Sequence, residues 1–118
     1  MADHGLFIGW GDPVYGREES GLGVFNEAVE YYGRLQQDGR IESFEVALLD
    51  PHGGDLAGFI LLRGNRENLS ALRGEEEFRR VLTRASLVVQ SLGAVDAILG
   101  EEVGKELEVY RAAAADLS

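Results

Sequence analysis

Cysteine is absent from this 118-residue chain, and with it go disulfides, thiolate metal centres and thiol nucleophiles. Basic charge is scarce: 11 Lys and Arg stand against 21 Asp and Glu, a formal net charge of −10. Nucleic acid needs a clustered positive face and an anionic membrane needs basic residues beside it, so neither partner is expected. Long apolar runs are missing too, and none approaches the roughly 20 residues of a membrane span. The start, Met1-Ala2-Asp3-His4-Gly5, lacks the basic and apolar regions of an export signal, which makes the cytoplasm the expected compartment. Histidine is limited to His4, near the terminus and expected to be mobile, and His52. Two histidines so far apart offer no spacing such as H-x-x-x-H, and no acidic loop has the calcium pattern. No metal and no cofactor is expected.

What is present suffices for one domain over residues 1–118, with 45% hydrophobic residues to build a core. Glycine, at 16 residues, is about twice its ordinary share and points to tight turns and close backbone approaches. Leu6-Phe7-Ile8-Gly9-Trp10 reads as a strand closed by Gly11-Asp12-Pro13. Phe25, Ala28, Val29, Tyr32 and Leu35 then recur at three- and four-residue steps, a helix face, with Ser20 as its expected N-cap and Gly39 as its left-handed C-terminal residue. Ile41 to Leu49 alternates as a half-buried strand, Asp50 to Asp55 is turn chemistry, and Leu56 to Leu62 is a second apolar strand, together a hairpin. Asn65 caps a helix through Leu69 and Leu72, interrupted at Gly74 and restarted by Glu75-Glu76-Glu77, with Phe78, Val81, Leu82 and Ala85 on its buried face. Val88, Val89, Val95 and Ile98 predict a last strand bent at Gly93. Val103, Leu107, Tyr110, Ala114 and Leu117 then mark an amphipathic helix over about 101–117. The order β-α-β-β-α-β-α is that of an α+β, ferredoxin-like subunit with an extra C-terminal helix.

Few motifs carry chemistry. The pairs Gly9/Gly11 and Gly21/Gly23 lack the G-x-G-x-x-G register of a phosphate cradle, and no G-x-S-x-G elbow exists. His52, between Asp50 and Asp55, reads either as a base or ligand flanked by carboxylates or as a solvated loop residue. More informative are polar residues on apolar strands, because a buried charge needs a partner. If Phe44, Val46 and Leu48 meet the helices, Glu45 and Arg63 share the opposite face with Phe59. They read either as an ion pair, within a subunit or between two, or as base and anion holder of a small-molecule site walled by Trp10. Tyr32 and Trp10 alone are core aromatics with one polar handle each. Trp10, Tyr32, Glu45, Phe59 and Arg63 are the candidate ligand-binding residues.

The passage Tyr31-Tyr32-Gly33-Arg34-Leu35-Gln36-Gln37-Asp38-Gly39-Arg40-Ile41, running from helix straight into strand, is followed by the hairpin, by Glu76-Glu77-Phe78 on a helix and by a valine-rich last strand. Over roughly residues 5–100 this layout resembles the dimeric α+β-barrel superfamily, which includes YCII-related proteins, cofactor-free monooxygenases and stress-responsive barrel proteins. The resemblance implies two sheets paired face to face, helices outside, and any site in the cleft beneath them. YCII-related proteins carry a working histidine on the first helix; here Ala28 falls near that place, so that chemistry has no residue to perform it.

The strands are apolar on both faces, and two helices cover only one, so the other face is expected to pair in a homodimer. Two functions remain open: a homodimeric small-molecule-binding or structural protein without a catalytic set, or a cofactor-independent enzyme acting on a small cyclic or aromatic substrate. The C-terminal helix either folds back on its own subunit or, the preferred reading, contacts the partner.

Overall fold

In the computed structural model, which describes residues 3–117, the chain runs β1 (His4–Trp10), α1 (Glu18–Gln37), β2 (Ser43–Leu48), β3 (Gly58–Gly64), α2 (Arg66–Arg73), α3 (Glu76–Ser86), β4 (Gly93–Ile98) and α4 (Glu101–Asp116). The four strands form one antiparallel sheet in the order β2-β3-β1-β4. The two βαβ halves interlock, so each helix layer returns the chain to a non-adjacent strand.

Local chemistry explains most boundaries. Gly39 adopts φ 74° just past α1, where the amides of Gly39 and Arg40 reach back to the carbonyls of Gln36 and Leu35; a side chain there would be strained. Asn65 caps α2 by accepting the Asn68 amide at 2.8 Å. Other boundaries depart from the sequence expectation. Ser20 lies inside α1, which starts at Glu18 and has no side-chain cap; Glu18 and Glu19 serve its positive end instead. Ile41 precedes β2, and the bend there turns it into the helix-side core rather than onto the face of Glu45. Val88 and Val89 belong to the turn after α3, where Val89 bridges Pro13, so β4 begins at Gly93 and that glycine marks no bend within a strand. His4 is the first residue of β1, held between Gly64 and Ile98, not a mobile end.

Register divides the sheet into two faces. Leu6, Ile8 and Trp10 of β1 stand beside Leu62, Ile60 and Gly58 of β3 and Phe44, Val46 and Leu48 of β2, and this face meets α1, α2 and α3. Its core is Leu6, Ile8, Ala28, Tyr31, Tyr32, Leu35, Ile41, Ile60, Leu62, Leu69, Leu72 and Phe78. Each large apolar side chain fully buried here contributes about 1.5–3 kcal/mol. On the other face lie Phe7 of β1, Phe59, Leu61 and Arg63 of β3, Glu45 and Ala47 of β2, and Val95 and Ala97 of β4. Among the described residues no helix covers that face, and Val95 there is 58% exposed. Helix α4 buries none of its residues.

Candidate functional site

The helices and sheet do not close completely. Between α1, α3 and the helix-side face lies an apolar cavity of about 220 Å³, walled by Ile8, Trp10 and Ile60 from the sheet, Val24, Phe25, Ala28 and Tyr32 from α1, Val81, Leu82 and Ala85 from α3, and Val88, Val89 and Leu92 from the turn before β4. A dry cavity of about 150 Å³ already accepts a benzene-sized molecule, so this one suits one ring with small substituents. One wall is stitched from two turns: Gly11 and Val14 donate to the carbonyls of Gln90 and Val88 at 2.7 and 2.8 Å, and Gln90 donates to Asp12 at 2.8 Å. Leu22 and Leu48 stand exposed at the edge, beside Glu18, the one carboxylate of the lining.

Trp10 lies across β3 only because position 58 is glycine, where a Cβ would come within 2.8 Å of the indole and of the Ala47 carbonyl. The indole meets Phe25 edge-on at 6.1 Å. Tyr32, between Tyr31 at 5.4 Å and Phe44 at 6.2 Å, is buried. Burial pushes its hydroxyl pKa well above the ordinary tyrosine value, with the neighbouring Tyr31 adding to the rise. Tyr32 is therefore a neutral hydroxyl at physiological pH. The cavity thus offers aromatic and aliphatic surface, and Tyr32 and Trp10 in its lining carry one uncharged polar group each. It holds no cationic side chain to receive an anion.

The five candidate residues separate into two groups. Trp10 and Tyr32 line the cavity; Glu45, Phe59 and Arg63 lie on the opposite face of the sheet. A site combining Trp10 with Glu45 and Arg63 is thus excluded by the pleat, since those side chains point away from one another. Glu45 and Arg63 join within the subunit, Oε1 to Nη2 at 2.7 Å, and Phe59 stacks on Phe7 at 5.0 Å between ring centres. His52 is exposed in the hairpin loop, its Nδ1 2.9 Å from the Asp50 carbonyl oxygen. Among the described residues, no three His, Asp or Glu side chains gather as a metal site. The sequence reading identified Phe25, Ala28, Val81, Leu82 and Ala85 as buried, but not as the walls of a gap. Helical periodicity reports which way a side chain faces and says nothing of how tightly two faces fit.

No family model matches the sequence, and no curated protein matches it significantly. Among solved structures, the fold is similar to a dimeric ferredoxin-like protein of unknown function from Bacteroides fragilis (TM-score 0.59, 17% identity, 82% of this chain and 97% of that one). It is similar also to a dimeric ferredoxin-like protein of unknown function from a Jannaschia species (TM-score 0.63, 10% identity, 81% and 99%). A third likeness is to SnoaB, a cofactor-independent oxygenase from Streptomyces nogalater (TM-score 0.54, 13% identity, 85% and 96%). At such identities the likeness is one of fold, and this chain has the α+β, ferredoxin-like fold with an antiparallel four-stranded sheet.

Proposed function

We propose that the protein is a homodimer, paired through the open face of its sheet, in which each subunit holds a small, uncharged, ring-sized molecule in the cavity beneath α1 and α3. The observation that carries this reading is the cavity itself, whose walls are aromatic and aliphatic apart from Glu18 at the edge, with Tyr32 and Trp10 the aromatic lining residues that carry an uncharged polar group. Pairing is supported by the apolar face on which Phe7 and Phe59 are half-buried and Val95 is exposed, and by the dimeric description of two fold neighbours. The closed Glu45–Arg63 pair favours a structural role for both residues over a catalytic one. YCII-related chemistry has no support, because α1 carries no histidine. The cytoplasm is the proposed compartment, and no helix among the described residues is long and apolar enough to cross a membrane.

Native mass spectrometry of freshly purified protein tests this directly. A dimer carrying a reproducible small extra mass is the expected result, and Ala28→Phe, which fills the cavity, should release that mass while leaving the dimer. A bare dimer overturns the ligand half of the proposal, and a monomer overturns the pairing. A second reading, a cofactor-independent oxygenase or isomerase working on a small cyclic substrate in the same cavity, is favoured by the likeness to SnoaB. It requires Tyr32→Phe to lower turnover of a cavity-bound substrate at least tenfold, with Glu45→Gln without effect. Equal turnover in wild type and Tyr32→Phe removes the hydroxyl from any catalytic role.

A further inference from the structure

Helix α4 is built to be covered and is not covered by its own subunit. Val103, Leu107, Tyr110, Ala114 and Leu117 fall on one stripe at steps of four and three residues. Nevertheless no α4 residue is buried: Leu107 is 59% and Tyr110 73% exposed. At 16 residues α4 is only just longer than the about 12–15 below which an isolated helix is marginal in water. This one contains Gly104 and has no side-chain N-cap. The stripe therefore needs a surface to lie on.

Area indicates what that surface is. The chain exposes 7927 Å², whereas a compact monomer of its 12.9 kDa mass exposes about 6,300 Å². Its radius of gyration is 16.3 Å, against about 13.5 Å for a compact domain of this length. The excess of about 1,600 Å² per subunit falls within the roughly 1,000–2,500 Å² that each copy of an obligate homodimer buries. The open face of the sheet also reaches the start of α4. Leu99, just before α4, places its Cδ1 2.9 Å from where a Gly5 side chain would begin, next to Leu61. Leu99 thus joins the open face to the start of the helix that carries the stripe.

We infer that α4 is a dimer arm, laying the Val103–Leu107–Tyr110–Ala114 stripe against a second copy of this chain and extending the contact made by the open sheet face. The inference rests on the proposed pairing of the sheets, and its test separates the two. Sedimentation equilibrium and amide exchange are measured on the full chain as wild type, Leu107→Glu/Tyr110→Glu and Val95→Glu. All three altered positions are exposed in the subunit, and circular dichroism checks each fold. The arm requires the double substitution to raise the dimer dissociation constant at least tenfold. It also requires α4 amides to be protected in the wild-type dimer and to exchange freely in monomeric Val95→Glu. A double variant that dimerises like wild type, with α4 amides unprotected, overturns the arm while the sheet pairing stands. Protection of α4 in monomeric Val95→Glu overturns it in favour of folding back on its own subunit. A monomeric wild type overturns both readings together.

Discussion

One face of the sheet is finished by the chain that makes it; the other, built from the alternate residues of the same strands, is not. On the finished face, Leu6 and Leu62 are fully enclosed beneath α1, α2 and α3, and besides the cavity its margins, at Val46 and Leu48 of β2 and Ile98 of β4, stay exposed. On the open face Val95 stands out in solvent and the charged pair Glu45–Arg63 lies diagonally across β2 and β3 toward one end of their ladder. Burial on the first face is a property of the subunit and should appear in its stability. Burial on the second is a property of association and should appear in its concentration dependence.

The sharpest way to break this comparison is to truncate one residue on each face. Leu62→Ala should lower the stability of the subunit by about 3 kcal/mol in urea unfolding, the loss expected for a leucine removed from a closed core. Val95→Ala should cost the subunit less than about 0.5 kcal/mol, as for an exposed position. Equal losses at the two positions would mean that the faces are not different in kind. On the open face the larger change is seen in association: Val95→Glu should raise the dimer dissociation constant at least tenfold, about 1.4 kcal/mol, in sedimentation.

The helix side contains one imperfection that sharpens the contrast. Tyr31 is buried, yet its hydroxyl has no hydrogen-bond partner. An unpartnered buried hydroxyl costs stability, so Tyr31→Phe should leave the protein as stable or raise its stability by up to about 1 kcal/mol. Its pKa is pushed up to about 12 by burial first, then by the carboxylates of Glu77 and Glu75, and Tyr32 is shifted in the same direction. A tyrosine raised in the folded state favours folding fully below pH 10, its unfolded value, and that contribution is lost as pH climbs toward 12. Unfolding titrations at pH 9 and 11 should therefore show a fall in stability that is smaller in Tyr31→Phe. The same fall in both proteins would assign the alkaline loss elsewhere.

The smallest effect is expected from the Glu45–Arg63 pair. Both side chains are partly exposed, so solvent screens them, and a double-mutant cycle should return a coupling below about 1 kcal/mol in the subunit. A larger coupling that depends on protein concentration would place the pair inside the dimer contact.

Much of this arrangement was readable from short-range pattern. Phe44, Val46 and Leu48 alternate against Glu45, and the two faces, with Glu45 and Arg63 together on one of them, followed from that period of two. The helical steps from Ala28 to Leu35 identified the inner side of α1, and Asp38-Gly39 its end. Where reading failed, a longer-range contact had overruled a local preference. Val88 and Val89 look like strand, yet one packs into the core and the other pairs with Pro13 across the chain. Ile41 loses the strand period because the bend before β2 turns it toward α1 and α2. Trp10 was placed beside Glu45 only until the β1 register assigned it to the other side.

By itself, then, the sequence determined the order of elements, the two apolar faces of the strands, the stripe on α4 and the absence of any thiol chemistry. Each of these depends on residue type and on periods of two or 3.6, which neighbouring residues set among themselves. Only the tertiary structure decided which face the helices cover, that Glu45 and Arg63 meet in one subunit, and that a ring-sized space remains beneath α1 and α3. A cavity is the mismatch between surfaces brought together from β1, α1, β3, α3 and the turn before β4. No local period records how well five distant segments will fit.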